Sequence, residues 1–250
     1  MKKLLPIIII ATLFASGCSS TRTVEQQVAA SNDPLESVNR SLWTFNWEYL
    51  DKYLLRPVSI AYVEHVPDFA RKGLLNAAEN LEEPSNAVNN LLQGKVVGTA
   101  TSLGRFVLNS TVGLLGTIDV ASSLGLEPEQ EEFGETLAVW GAGTGYYLMA
   151  PGMGPTDVRS ATGDIVDTAY FPLADLNIYV SVFRTAIKAM EARGNLVQQE
   201  QLLNDSLDSY SLIKDIYFQN LQNKVNDGVV EPSAEELSED DELEDLLEDF

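Results

Sequence analysis

The chain has one histidine and one cysteine, so its side chains capable of covalent or acid–base chemistry can be weighed one at a time. His65 stands between Glu64 and Val66. An imidazole can serve as a general base, but no motif places a Ser or Cys nucleophile beside this one. A hydrogen-bonded structural histidine is the better reading. Glu82-Glu83 and Asp164/Asp167 are carboxylate pairs of the kind acid–base work requires. Adjacent residues point to different faces, and Glu83 precedes Pro84, so the first pair reads as a solvated helix end. No EF-hand loop and no HExxH pair is present, which leaves metal catalysis without support. Gly141-Ala142-Gly143-Thr144-Gly145 carries half of a dinucleotide fingerprint, without its last glycine spacing or a βαβ setting. Close backbone packing or a hinge explains it better. Nothing specific supports an enzyme.

Cys18 is different, because its neighbours give it a role. Lys2 and Lys3 form a basic start, Leu4 to Phe14 an apolar stretch, and Ala15-Ser16-Gly17 a small-residue approach to the cysteine. The apolar run is too short to cross a hydrocarbon core of ~30 Å as a helix, so residues 1–17 read as a cleaved signal. A signal ending at cysteine resembles a lipobox, with Ala15 where Leu is commonest. The sole cysteine can form no disulfide within the chain, and acylation is the preferred reading of Cys18 over an unpaired thiol or a signal residue lost on cleavage. Ser19 follows it, where lipoproteins retained in the inner membrane often carry Asp, and so points to the outer membrane. More than one acyl chain, at ~0.8 kcal/mol per buried methylene, makes such attachment durable.

Charge narrows the partners. The net charge is −21, and residues 231–250 hold 11 acidic and no basic side chains. An acidic body lacks the basic footprint of a nucleic-acid binder. Anionic headgroups would repel it, so membrane attachment must come from lipid and apolar surface. Residues 229–250 read as a solvated acidic tail, and residues 18–32 as a polar tether.

The elements between them are helical. Asp33-Pro34-Leu35-Glu36 has the order of a capping box, with Asp33 as cap and Glu36 bonding back. Leu35, Val38, Leu42, Phe45 and Tyr49 follow at helical spacing, and Pro57 is expected to end that helix. Pro67-Asp68-Phe69 opens a second helix to about Leu81, and Glu83-Pro84 a third to near Gly94. Lys95 to Leu108 forms a fourth. Phe106 to Ile118 is uncharged and broken by Gly113 and Gly116, a bent apolar hairpin rather than a strand. Thr136 to Thr156 is also uncharged, but five glycines and two prolines argue against a continuous membrane helix. Later helices run through Ile178–Met190 to a stop at Gly194, and through Leu207–Leu221 to a stop near Gly228. The pattern predicts a mainly helical, all-α domain over 33–228.

Ordered motifs now connect these helices. They are Asn39-Arg40, Phe45-Asn46, Arg56-Pro57, Tyr62, Asn80-Leu81-Glu82-Glu83-Pro84, Asn89 and Leu92-Gln93-Gly94. Gly104-Arg105-Phe106, Asn109-Ser110-Thr111, Gly113, Gly116 and Asp119-Val120-Ala121 continue the series. Phe133-Gly134-Glu135-Thr136-Leu137, Trp140-Gly141, Pro151 and Gly154-Pro155 complete it. In this order the chain resembles the MlaA (VacJ) family of outer-membrane lipoproteins. Glu135 departs from the usual Gln, Ala138 from a common Gly, and Ser160 from an expected Asp. The resemblance implies a ring-like helical domain embedded in the outer membrane, with a central amphipathic channel and no cofactor. It implies removal of mislocalised phospholipid from the outer leaflet and delivery to a periplasmic lipid-carrier protein, in company with outer-membrane porin trimers. A porin-associated scaffold that passes no lipid is the alternative function.

A lipid path needs partners for the headgroup and an apolar wall for the chains. Phe106 to Leu126 mixes both characters, so Asn109, Ser110, Thr111 and Thr117 are candidates to line the channel, with Gly113 and Gly116 permitting movement. A buried core hairpin has nearly equal weight. Arg40, Arg56 and Arg105 are candidates for phosphate contact, each with a structural alternative in pairing with a carboxylate such as Asp51 or Asp119.

Overall fold

A computed structural model describes residues 33–170, 178–197 and 199–228. The expected signal (1–17), Cys18 with its tether (18–32) and the acidic tail (229–250) lie outside the described residues.

The first helical stretch is longer than the prolines suggest. Helix α1 (Glu36–Thr44) passes without a break into an 11-residue π-helix (Phe45–Leu55) and then into α2 (Arg56–His65). Pro57 therefore does not stop the helix. It sits in the first turn of α2, next to the change from i→i+5 to i→i+4 bonding, where its missing N–H is tolerated. Asp33 is not a cap either. Its carboxylate accepts from Asn39 Nδ2 at 2.9 Å and from the Tyr210 hydroxyl, and no side chain caps α1.

Helix α3 (Asp68–Asn80) begins after Pro67, and α4 (Glu83–Leu92) carries Pro84 in its first turn. Gly94, with φ of 81°, turns the chain into α5 (Val96–Thr111). Next come α6 (Val120–Ser123), capped by Asp119, and α7 (Phe133–Val139). The glycine-rich stretch then holds the departure from an all-helical pattern, an antiparallel hairpin of β1 (Tyr147–Ala150) and β2 (Gly154–Asp157). Asp157 ends β2 and, fully buried, accepts from the Arg159 and Ser160 amides to start α8 (Val158–Tyr170). Helices α9 (Ile178–Leu196), α10 (Glu200–Asp205) and α11 (Ser209–Val225) follow. Gly194 is not a stop. It lies inside α9, where an added Cβ would come within 2.6 Å of Val63, so it marks a close approach to α2.

Helix α4 packs on α5, α9 packs across α2 and α3, and α8 packs on α7. The short hairpin is held by two asparagines of the first stretch. Asn39 donates to Tyr147 O and accepts from Met149 N, both at 3.0 Å. Asn46 donates to Ala150 O at 2.9 Å and accepts from Gly152 N at 2.8 Å. The inner strand face, Tyr147 and Met149, joins Tyr210 in a small core flanked by Trp43, Tyr217 and Phe218.

The distribution of polarity is the reverse of a water-soluble domain. Among the described residues, 17 buried side chains are polar or charged and seven are apolar, three of those seven being alanine. Phe69, Val97, Leu115, Met153 and Tyr179, by contrast, are each more than three-quarters exposed. Among the described residues no helix is long and apolar enough to cross a membrane.

Candidate functional site

Helix α4 turns a ladder of amides inward. Asn86, Asn89 and Asn90 are all buried, and Asn89 donates to Asp167 of α8 at 2.7 Å and to Glu131 O at 3.0 Å. Asp167 also accepts from Ser85 and from the Phe133 amide, which ties α4, α7 and α8 together. Gly134 and Gly163 let α7 and α8 approach closely, since a Cβ on Gly163 would lie 2.3 Å from Gly134 N.

Beside this junction is a cavity of about 490 Å³. Its walls carry six carboxylates, Glu82, Glu131, Glu132, Glu135, Asp164 and Asp167, and three cations, Arg184, Lys188 and Lys224. Met153, from the turn of the hairpin, borders it as well. Lys188 bonds both oxygens of Glu82, at 2.9 and 2.7 Å. Lys224 bonds Glu132 at 3.0 Å and lies 3.7 Å from Glu135. Burial works against the Lys224 charge, yet Glu132 and Glu135 hold its pKa above the ordinary lysine value.

Glu135 is the most perturbed acid of the cavity. Burial, a hydrogen bond with Glu131 and the charge of Glu132 push its pKa up to about 8. Burial and the same acidic neighbours also raise Asp164. A wall of this kind, acidic on balance but with cations set among its carboxyls, can offer partners to both poles of a dipolar or zwitterionic group. Among the described residues no group of His, Cys, Asp and Glu is arranged to hold a metal ion.

The residues singled out in the sequence fall elsewhere. None of Asn109, Ser110, Thr111, Gly113, Gly116 and Thr117 lines this cavity. Asn109 is buried, donates to Asp119 at 3.0 Å and accepts from Ala121 N at 2.9 Å. Ser110 accepts from Asn80. The Thr111 and Thr117 hydroxyls bond back to the backbone of their own turns. Gly113 is closely packed, since a Cβ there would lie 2.2 Å from Ile118 O. At Gly116, with φ of 88°, it would strike Asn80.

The three arginines already hold carboxylates. Arg40 bonds Glu36 and both oxygens of Asp208, and Arg56 bonds both oxygens of Glu200. Arg105 is buried and shared by Glu83, Asp119, Ser122 and Leu126 O. A phosphate would have to displace these partners. Glu83, read from sequence as part of a solvated helix end, is 2% exposed and is the principal partner of Arg105. His65 donates from Nδ1 to Ala61 O, 2.9 Å away, the bond of an ordinary helical histidine. The cavity acids escaped the sequence reading because they are spread from residue 82 to 167 with no spacing of their own. Glu82 and the Asp164/Asp167 pair are the traces of the cavity among the carboxylate pairs of the sequence.

Comparison with known proteins agrees with this architecture. The model of the MlaA lipoprotein family matches residues 31–224. The intermembrane phospholipid transport system lipoprotein MlaA of Escherichia coli (strain K12) is 35% identical over 98% of this chain and 99% of its own length. Its counterpart in Haemophilus influenzae is 34% identical over 93% of this chain and 94% of its own. A chain solved to explain the maintenance of bacterial outer-membrane lipid asymmetry superposes with a TM-score of 0.72 at 38% identity, covering 78% of this chain and 99% of that one. Matched along nearly its whole length, the chain belongs to the MlaA lipoprotein family.

Proposed function

We propose that this protein is an outer-membrane lipoprotein that removes mislocalised phospholipid from the outer leaflet and passes it towards the periplasm, so preserving lipid asymmetry. The observation that carries the reading is the inverted polarity of the domain, apolar outside and polar around a cavity of about 490 Å³. A body seated in a bilayer must satisfy its polar groups internally and offer hydrocarbon to the chains around it. A phospholipid headgroup must be met by polar partners wherever it leaves water. The exposed apolar side chains and the polar cavity support both roles, with Glu82, Asp164, Lys188 and Lys224 among the groups that would meet the headgroup, the two lysines on release from their carboxylates. The relatives named for intermembrane phospholipid transport support the same reading.

On this proposal the domain spans residues 33–228 and forms a ring-like body around the polar path. Acylated Cys18 holds it to the membrane through the 18–32 tether, outer-membrane porin trimers surround it, and a periplasmic lipid carrier receives the cargo. No covalent step is required of the protein. Deleting it and probing intact cells with an external phospholipase tests the function. Surface phospholipid should rise and fall again on complementation. An undisturbed outer leaflet in the deletion strain would instead favour a scaffold that passes no lipid.

A further inference from the structure

Between Thr111 and Val120 the chain makes a turn whose tip is two leucines in an unusual conformation. Leu114 and Leu115 have φ of 52° and 59°, in the left-handed region that L side chains avoid and that Gly or Asn occupies far more readily. The turn is nevertheless tightly held. Gly116 N donates to Asn109 O at 2.8 Å and Ile118 N to Gly113 O at 2.9 Å, over the close-packed Gly113. The two side chains gain little packing from this geometry, since Leu114 is 65% and Leu115 82% exposed.

The surroundings say what kind of medium covers them. No charged residue occurs from Phe106 to Ile118, and Val107, Val112 and Ile118 are exposed around the tip. The exposed hydroxyls near it are turned inward. Thr111 donates to Val107 O at 2.6 Å, Thr117 to Leu114 O at 3.0 Å, and Ser123 to Val120 O at 2.6 Å. A protein partner would bring donors and acceptors of its own to such hydroxyls. Hydrocarbon brings none, and every polar group in it must be satisfied from within. A protruding tip without charge also suits a fluid medium better than a shaped groove.

We propose that the Leu114-Leu115 turn is a wedge that enters the acyl-chain region of the periplasm-facing leaflet and sets the depth at which the domain sits. This rests on the outer-membrane reading above, but not on lipid passage. The left-handed backbone holds both leucines at the tip, where burial in lipid rewards each of them.

The test uses the full-length lipidated protein, purified and reconstituted in phosphatidylethanolamine/phosphatidylglycerol vesicles whose chains carry bromine. A bimane label on Leu115→Cys should be quenched by the brominated chains and shielded from aqueous iodide. Quenching by iodide alone would place the tip in water, and quenching by neither would place it against protein; either result overturns the proposal. A second protein carries the label on Val112→Cys, with and without Leu114→Asn and Leu115→Asn. Asparagine accepts the left-handed backbone, so the melting temperature should hold or rise, while bromine quenching at 112 falls about twofold or more. Unchanged quenching at 112, whatever the melting temperature, would also overturn it. The readout is independent of asymmetry in cells, so the wedge and the transport reading can fail separately.

Discussion

The Arg105 guanidinium and the Glu83 carboxylate meet between α5 and α4 with their side chains 5% and 3% exposed. Burial pushes the Glu83 pKa up even with the arginine beside it, so Glu83 can take a proton if its partner is lost. Removing Arg105 also takes its donors from Leu126 O, Ser122 and Asp119, of which Asp119 is still held by Asn109 and Ser122. Breaking a buried pair from one side costs about 3–5 kcal/mol. Arg105→Met should fall near the upper end and Glu83→Gln near the lower, measured by denaturant unfolding in detergent. Equal and negligible losses would show that the pair is not part of the folded core.

The Asn39 and Asn46 side chains should act as latches for the hairpin. Each makes two bonds to strand or turn backbone, and a buried backbone group left unpaired costs about 1–3 kcal/mol. Asn39→Ala should therefore speed amide exchange at Met149, and Asn46→Ala at Gly152, with the helices unaffected. Uniform exchange across the whole domain would mean that the hairpin has no separate stability.

Glu135 makes stability depend on pH in a defined window. Its folded pKa of about 8 lies above the ordinary glutamate value of 4.5, so the native state binds the extra proton between these values. The stabilisation is complete below about pH 4.5 and is lost as pH rises through about 8. Glu135→Gln should flatten that loss, leaving a shallower slope of the same sign from Asp164 and Glu83. At the acid end, Arg56 and Arg193 hold Glu200 down to about 2, and that contribution disappears as pH falls towards 2. Melting temperatures from pH 2 to 9 for both proteins would test each limb.

Lys188 separates transport from stability. Its ion pair with Glu82 is partly exposed, and pairs of that kind contribute about 1 kcal/mol or less. Lys188→Glu should leave the fold intact while placing a seventh carboxylate on the cavity wall, and surface phospholipid should accumulate in cells that carry it. Normal asymmetry with this variant would move the headgroup path away from the cavity.

Gly113→Val is expected to abolish the folded state, because even a Cβ meets Ile118 O at 2.2 Å. Gly113→Ala should already cost about 3 kcal/mol. A folded Gly113→Val protein with altered lipid traffic would instead favour a hinge at this glycine.

Where the sequence could be read, local punctuation made it legible. Pro67, Pro84, Gly94 and Gly228 stand at real helix ends, and α3, α4, α5 and α11 follow from them. Pro57 and Gly194 misled because their effect is tertiary. One sits where a π-helix changes its bonding pattern, and the other where α9 crosses α2. The hairpin was hidden because its strands are four residues each and are held by asparagines more than 100 positions away. Glu83 was misplaced for a related reason: its burial depends on Arg105, a residue of the next helix. The mixed polarity of residues 109–117 fits a channel lining, and it fits equally well hydroxyls that bond back to their own turns and an amide that braces Asp119.

The inverted polarity also bears on how the protein reaches its destination. A chain whose folded interior is rich in Asn, Glu and Arg gets little help from hydrophobic collapse in water, and its outer face is apolar over much of its area. On the route assigned to it, such a chain must cross an aqueous compartment before meeting the lipid it is built for. Its apolar face then needs an escort in transit, and final consolidation of the fold belongs at the membrane, where hydrocarbon takes over the role that a core has elsewhere.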